Sequence, residues 1–590
     1  LSLGLRLPML MGPAIFILSL LFCHQIDANY HAYEEGEPLT VNVNWLTSPN
    51  SVFPLSFYNL PFCLPQSSGI DPNPQNLGQI LMGDQMASSP YQFRMNINRS
   101  FVYICSTDPL SDSQIQLYKT AIDRNYRVNM FLDGLPAIRP NKEGIRWHWN
   151  GSPVGYKHSQ IYHVFTHLKL TVLVRKKDES FIIVGFEVDP LPCLIGPRIY
   201  SVHPIPISCN FVTVTQELRA NQTIPYTYEV AFHESEVKWE SRWDAYVDKK
   251  SSANQWLGAS KDFASCLVVL SAILYFRWQG TRRAAPLKEE GGERDGLLSH
   301  EMTIHYPSLP VALCVVIGSG VQILCMTCAT LLIGWLGFLS SSSRGSFLTL
   351  MISCHMAAAI AGSYTAVRVS RAIDFEKPVH WTSVTWKVAC ILPAISAVGL
   401  TSLNATFALI PKLLLLWGCI NVPLALLGGY LATRSRRKSC LSKKGILVKG
   451  KAFWMVLAWV LALWTGYAVF SSCLKHVNHL VQTFWVGTYF ADYGYLLVVM
   501  LNFVLTCGEF GVICNKIFDD KWWWSSFLGP ASSGIWMFAF FMANYWYELR
   551  YFSLLISSAY VGYCLLFCLN FMIVVGTVGF LTALLYSQFE

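Results

Sequence analysis

From residue 263 onward, apolar stretches of roughly 20 residues follow one another, separated by short polar breaks. A helix rises about 1.5 Å per residue, so roughly 20 apolar residues cross a hydrocarbon layer about 30 Å thick. Stretches this apolar have no stable arrangement in water as a string of surface helices, whereas lipid solvates them and the helix satisfies its own backbone. Nine spans are expected, at about 263–278, 309–339, 347–369, 386–410, 413–432, 453–473, 485–514, 526–547 and 552–586. The second and last are long enough to tilt or to project beyond the lipid. Pro411 is read as the break between the fourth and fifth, because proline lacks a backbone donor and clashes with the preceding turn. Composition fits a membrane protein: 53% of residues are apolar and 14% are charged, the latter about half the share of a soluble domain.

The formal charge of +8 would suit nucleic acid only if the bases formed one face. Here they alternate with the apolar runs, so the bilayer is the expected partner and nucleic acid is not. Arg277, Arg282, Arg283, Lys288 and Arg294 follow the first run. Arg368, Arg371, Lys377 and Lys387 follow the third, and Arg434, Arg436, Arg437, Lys438, Lys443, Lys444, Lys449 and Lys451 the fifth. Lys516 and Lys521 follow the seventh. The intervening breaks carry only Arg344, Lys412, Lys475 and Arg550. Bases collect on the cytosolic side, which puts the N-terminal region on the other side. The start of the chain agrees. Residues 1–28 hold Arg6, an apolar core at 15–23 and small or polar residues near Ala28, the pattern of a secretory signal; an uncleaved anchor is the alternative.

Residues 29–262 would then form a lumenal or extracellular domain. Period-two alternation marks strands at 167–174 and 181–186 around a polar turn at 175–180, and another at 226–232. A mainly-β domain, a sandwich with at least one helix, is expected. Its cysteines, Cys63, Cys105, Cys193 and Cys209, would meet an oxidising compartment. Four cysteines allow three pairings, and order alone suggests Cys63–Cys105 and Cys193–Cys209. Asn98, Asn150 and Asn221 head glycosylation sequons, the second weakened by Pro153.

No nucleophile elbow, P-loop or H-E-x-x-H is present, so neither an enzyme nor a resident cofactor or metal is expected. His163 and His167, read as one strand, would share a face about 13 Å apart, too far for one metal ion. Lys475, His476 and His479 read as a solvated loop. Cys325 and Cys328 spell C-x-x-C inside an apolar run, where a thiolate is poorly solvated and packing is the better reading. Asp492 and Glu509 lie in the seventh run, about 25 Å apart at helical rise. That places one near each interface, as anchors or interhelical hydrogen-bonding groups, with a proton or ion pathway as the alternative. Gly318, Gly320, Gly334 and Gly337 in the second run, with Gly576 and Gly579 in the ninth, let helices approach closely, either within the bundle or as a groove for another protein's helix. Trp522, Trp523 and Trp524 beside Lys521 read as an interfacial aromatic belt.

The chain resembles the nonaspanins, the transmembrane nine superfamily, through motifs in order along nearly its whole length. These are Tyr58-Asn59-Leu60-Pro61-Phe62-Cys63, Leu77-Gly78 through Gly83-Asp84 with Ser89-Pro90-Tyr91, and Asn125-Tyr126 with Asp133-Gly134-Leu135-Pro136. Phe165-Thr166-His167, Val188-Asp189-Pro190, Tyr228-Glu229-Val230 and Arg242-Trp243-Asp244-Ala245-Tyr246 follow. Gly318-Ser319-Gly320-Val321-Gln322, Gly428-Gly429-Tyr430 and the Trp522–Trp524 cluster complete the set. Two stretches depart from the family pattern. Arg434-Ser435-Arg436-Arg437-Lys438 stands where an R-T-N-Q-I-P-R stretch is usual, and Ser587-Gln588-Phe589-Glu590 stands where a K-x-D/E-type Golgi signal is usual. The resemblance implies a nine-span Golgi and endosome membrane protein with a lumenal N-terminal domain. It also implies a role in trafficking and localising other membrane proteins, with transmembrane clients and coat or sorting machinery as partners. A transporter or channel for ions, metals or small solutes is the alternative.

Overall fold

A computed structural model of the chain describes residues 31–48, 51–64, 79, 86–138, 151–191, 193, 217–246, 256–271, 275, 309–339, 345–373, 380–390, 409–435, 467, 470, 493–517, 522–548 and 554–588. The expected signal segment, Asn150, Cys209, Lys475, His476, His479 and Asp492 lie outside these residues.

The N-terminal region is mainly β. Its strands are β1 (Pro38–Val43), β2 (Leu46–Ser48), β3 (Ser51–Leu55), β4 (Ala87–Arg94), β5 (Arg99–Ser106), β6 (Arg127–Val128) and β7 (Met130–Leu132). They continue as β8 (Leu135–Pro136), β9 (Ser152–Pro153), β10 (Gly155–His158), β11 (Ile161–Val164), β12 (His167–Lys177), β13 (Ser180–Leu191) and β14 (Pro225–Glu234). Two four-stranded sheets, in the orders β13-β12-β14-β5 and β4-β1-β7-β8, turn apolar side chains into one core. Val41 and Val43 of β1, Leu170 and Val172 of β12 and Ile183 and Phe186 of β13 are fully buried there. A third sheet runs β3-β2-β6-β9, and β10-β11 is a hairpin. One helix, α1 (Asp112–Asp123), lies among the strands. Ser111 and Gln114 close its first turn with a capping box, and Ile115, Tyr118 and Ala121 form its buried stripe.

The β12–β13 hairpin is tighter than its polar stretch suggested. Lys177 pairs with Ser180, leaving a two-residue loop in which Asp178 takes a φ of 57°. The charged residues 175–177 therefore continue the strand. β14 lies parallel to β12, His167 opposite Thr227 and Val174 opposite Glu234. Parallel neighbours need a crossover, here the long connection between β13 and β14. The expected common strand for the two histidines is corrected: His163 lies in β11, which ends at Val164, and His167 begins β12, with the chain changing strands between them.

In the second half the helices are α2 (256–271), α3 (Pro310–Trp335), α4 (Ser346–Ala372), α5 (381–390), α6 (Leu409–Leu416), a π-helical turn (Trp417–Asn421), α7 (Val422–Arg434), α8 (Tyr493–Ile517), α9 (Trp522–Ala531), α10 (Ser533–Glu548) and α11 (Leu554–Gln588). Among the described residues, six stretches are long and apolar enough to cross a membrane: Pro310–Trp335, Ser346–Ala372, Leu414–Arg434, Tyr493–Val512, Trp523–Ala543 and Tyr560–Ser587. They coincide with the second, third, fifth, seventh, eighth and ninth expected spans. The first, fourth and sixth are described only in part, as α2, α5 and the residues Tyr467 and Phe470.

Pro411 lies within α6, with helix described on both sides of it, and residues 391–408 are outside the described ones. One boundary differs from expectation. The eighth span begins at the tryptophans and steps from α9 to α10 around Ser532, two residues after Pro530. The Ser532 hydroxyl there donates to the Gly529 carbonyl at 2.6 Å.

Candidate functional site

The motifs of the β region converge on two buried clusters. In the first, Asp133 and Gly134 form the two-residue loop of the β7–β8 hairpin, with φ of 48° and 74°. This left-handed pair matches the twist of a tight hairpin, and an Asp-Gly sequence adopts it readily. The loop aims the Asp133 carboxylate at Arg242, whose Nη1 donates to Oδ2 at 2.8 Å and to the Ile183 carbonyl at 3.3 Å. The Tyr33 hydroxyl donates to Asp133 Oδ1 at 3.2 Å, and the guanidinium lies 4.8 Å from the Trp239 ring centre. Burial, with the neighbouring Asp133 charge, pushes the Tyr33 hydroxyl well above its ordinary range. In the second cluster Tyr118 of α1 and Tyr226 of β14 share a hydrogen bond of 2.8 Å, with the Phe62 ring against both. Next to Phe62, Cys63 and Cys105 form a disulfide with Cα atoms 5.9 Å apart. Cys193 is also disulfide-bonded, to a residue outside the described ones.

His167 sits between β12 and its parallel neighbour β14. Its Nδ1 is 2.8 Å from Thr227 Oγ1, its Nε2 is 3.9 Å from Glu229, and Phe101 stacks on the ring. Burial lowers its pKa from the ordinary histidine value, with Glu229 opposing and Lys169 reinforcing the shift. A hydroxyl, imidazole and carboxylate in this order is the pattern of nucleophilic catalysis. Here the hydroxyl of Thr227 and the ring are both buried among packed strands, so the contacts fix the β12–β14 register. His163 stacks on Tyr156 of β10 and faces Glu217 across an isolated bridge. Among the described residues no group of three or more His, Cys, Asp or Glu side chains is arranged to hold a metal. Asn98 and Asn221 are exposed; Asn98 Oδ1 accepts from the Phe232 amide, and Asn221 holds a left-handed φ of 57°.

In the membrane part, most of the glycines picked from the sequence are filled by the bundle itself. A methyl on Gly318 would stand 2.7 Å from Ala366 Cβ of α4, one on Gly334 2.8 Å from the Tyr493 ring of α8, and one on Gly576 2.7 Å from the Phe527 ring of α9. Gly320 abuts Thr577 and the Ile573 carbonyl of α11, and Gly579 abuts Ser526 and Pro530 of α9. At these positions the close approach that glycine permits is taken up by the chain's own helices. Gly337 plays another part: it follows α3 with a φ of 83° and has no atom within 4 Å of a would-be Cβ, a helix-ending residue rather than a packing one. Trp523 is packed into the bundle, 5% exposed and facing Phe580 of α11. Trp524 lies edge-on to Phe527.

Polar side chains link the helices at several points. Gln322 of α3 donates through Nε2 to the His355 carbonyl of α4 at 3.1 Å and to Asn421 Oδ1 at 3.3 Å, and lies 3.2 Å from His355 Nε2. Asn421 ends the π-helical turn, the widened stretch that carries its side chain to α3. Sequence reasoning missed this cluster: Gln322 stood in a glycine motif, and nothing local ties it to residues 33 and 99 positions away. Arg371, noted only as a topology charge, donates to the carbonyls of Ala432 and Thr433 at 2.8 Å and of Ser435 at 3.2 Å, capping the end of α7. On α8, Asn502 Nδ2 donates to the Ala259 carbonyl of α2 at 2.9 Å, and Asn515 Nδ2 to the Ala583 carbonyl of α11 at 3.3 Å. Glu509 is 8% exposed, and its Oε1 has no partner among the described residues.

The family model described as Endomembrane protein 70 matches residues 54–554. The chain belongs to this family. Transmembrane 9 superfamily member 11 of Arabidopsis thaliana is 34% identical over 622 aligned positions, covering 95% of this chain and 94% of the relative. Member 12 of the same organism is 31% identical, covering 98% and 97%, and the human member 4 is 24% identical, covering 95% and 94%. No solved structure matches. Integral membrane residence and many membrane passes follow from the family together with the apolar helices.

Proposed function

We propose that the chain assists the trafficking and membrane localisation of other membrane proteins in the Golgi and endosomal system, with its β region in the lumen, and that it is not an enzyme. Family membership across the chain carries the reading. The bundle supports it: most of its described glycines and buried amides serve contacts between its own helices, as expected of a scaffold that presents outer helix faces to clients. Those faces are apolar, with Leu267, Val268 and Val269 exposed on α2 and Leu332 and Trp335 on α3. α2 and α8 run side by side in the same direction: Trp256 meets Tyr495, Ala259 meets Asn502 and Cys266 meets Thr506. Parallel neighbours suit their places as first and seventh spans and so support the nine-span count. The test is to compare surface levels of membrane proteins with and without the chain; unchanged levels for every candidate client would defeat the reading. A second reading, transport of protons or small solutes, is favoured by one observation, the unpartnered carboxyl oxygen of Glu509.

A further inference from the structure

On α8 the residues Asn502, Thr506 and Glu509 fall within about 60° of one another at helical spacing, on one face. That face is turned to α2, where Asn502 holds the Ala259 carbonyl and Thr506 lies 3.3 Å from Cys266 Sγ. The opposite face is closed against α11, with Gly511 on Gly579 and Gly508 on Thr582. Along the α2 face two acceptors are buried without donors: Asn502 Oδ1 and Glu509 Oε1. They are seven residues apart, about 10 Å along the axis, with the Thr506 hydroxyl between them.

What could sit on Glu509 is narrowed by its surroundings. On the half of α8 that holds it, α2 brings Cys266 to Thr506, α3 brings Leu324 to the cluster around Cys507, and α11 brings Gly579, Thr582 and Ala583. The buried face of α9 carries Trp523, Ser526 and Phe527. Among these described neighbours Cys266 alone titrates and none bears a charge, and Lys261 and Asp262 of α2 are exposed, so these neighbours offer an ionised Glu509 no counter-ion. An unpaired buried carboxylate is expelled or neutralised. A metal ion would need several oxygens around one point, and the two unpartnered acceptors are too far apart to share one. A proton needs only the carboxyl itself.

We propose that Glu509 is a proton-binding site of the membrane domain, a neutral carboxylic acid in the packed bundle that exchanges its proton through water entering along the α2–α8 seam. α2 is the natural moving part, because its outer face is exposed along most of its described length. Asn502 and Thr506 supply acceptor and hydroxyl positions for waters between Glu509 and the end of the seam near Ala259. The site goes beyond the trafficking reading and holds under either reading given above.

The test is infrared difference spectroscopy of the full-length protein in phosphatidylcholine liposomes, in H2O and D2O, for the wild type and Glu509→Gln. A protonated-carboxyl carbonyl band at neutral pH that shifts in D2O, fades as pH is raised and is absent from Glu509→Gln is the expected result. The proposal is overturned by the absence of such a band in the wild type, by its persistence in Glu509→Gln, or by a band insensitive to D2O and pH. Should Glu509→Gln fail to fold, Glu509→Asp serves: the band must move in frequency, and an unmoved band overturns the assignment. The band reads protonation alone, so its outcome is separate from whether client surface levels change.

Discussion

Arg242 and Asp133 are 109 residues apart in the chain and meet in a buried ion pair of 2.8 Å, Arg242 being only 3% exposed on its side chain. Each belongs to a different motif, the Asp-Gly loop of a hairpin and the Arg-Trp-Asp segment that precedes the membrane. The pair joins the end of the β region to its core: Arg242 also reaches the Ile183 carbonyl in β13, and Tyr33 closes the far side of the carboxylate. A charge left alone in such a place is worse than no charge.

Asp133→Asn and Arg242→Leu should each therefore destabilise the β region by about 3–5 kcal/mol, the range for breaking a buried pair. The double variant should lose less than the two singles combined, because it strands no charge. Urea midpoints of β-region protease resistance in the full-length protein would measure this. Strict additivity would show that the two residues do not act as a pair.

The histidine between β12 and β14 gives a pH dependence of defined sign. Burial holds the folded pKa of His167 below its ordinary value near 6.5, so the fold favours the neutral ring. Above pH 6.5 both folded and unfolded forms are neutral and nothing is lost. As pH falls below 6.5 the unfolded chain takes up a proton that the folded one resists, and stability drops until the folded pKa is passed. His163 is shifted the same way by burial and adds to the loss. Thermal inactivation of the β region should thus be faster at pH 5.5 than at pH 7.5, and His167→Gln should remove part of the difference. An unchanged pH slope in that variant would sink the assignment to His167.

What could be read in advance followed the range of the signal. Apolar runs act locally, so the six described helices long and apolar enough to cross a membrane lie within those runs, and period-two alternation placed β12 and β13. The parallel pairing of β14 on β12 left no trace, because it depends on a long crossover and on His167 meeting Thr227. The packing of Trp523 was hidden for a related reason: amphipathic rings suit both an interface and a bundle core, and its contact with Phe580 joins α9 to α11, far apart in sequence. Glu509 was noticed as a carboxyl in an apolar run, but its unpartnered oxygen appears only once α2, α8 and α11 are assembled.

The Cys63–Cys105 disulfide closes a loop of sequence separation 42, for which the chain-entropy model gives a stabilisation of about 4 kcal/mol. It also pins Phe62 against Tyr118 and Tyr226. The double variant Cys63→Ser with Cys105→Ser should therefore lower the urea midpoint of the β region. Reducing agent should produce no further change at this site. A midpoint equal to the wild type would mean that the packing around Phe62 suffices without the bond.

Gly320 and Gly337 lie at the middle and just past the end of the same helix and should respond oppositely to one substitution. Asparagine at Gly337 enters open space, and asparagine tolerates the left-handed φ of 83° that ends α3; the effect should stay within about 1 kcal/mol, the usual scale for such caps. At Gly320 any side chain runs into Thr577 and the Ile573 carbonyl of α11. Backbone cannot step aside as a flexible side chain can, so α3 and α11 must separate, at a loss of about 1–3 kcal/mol or more. Thermal melts of the detergent-solubilised full-length protein would compare Gly320→Asn with Gly337→Asn. Equal melting temperatures for the two variants would mean that the α3–α11 contact does not hold the bundle together.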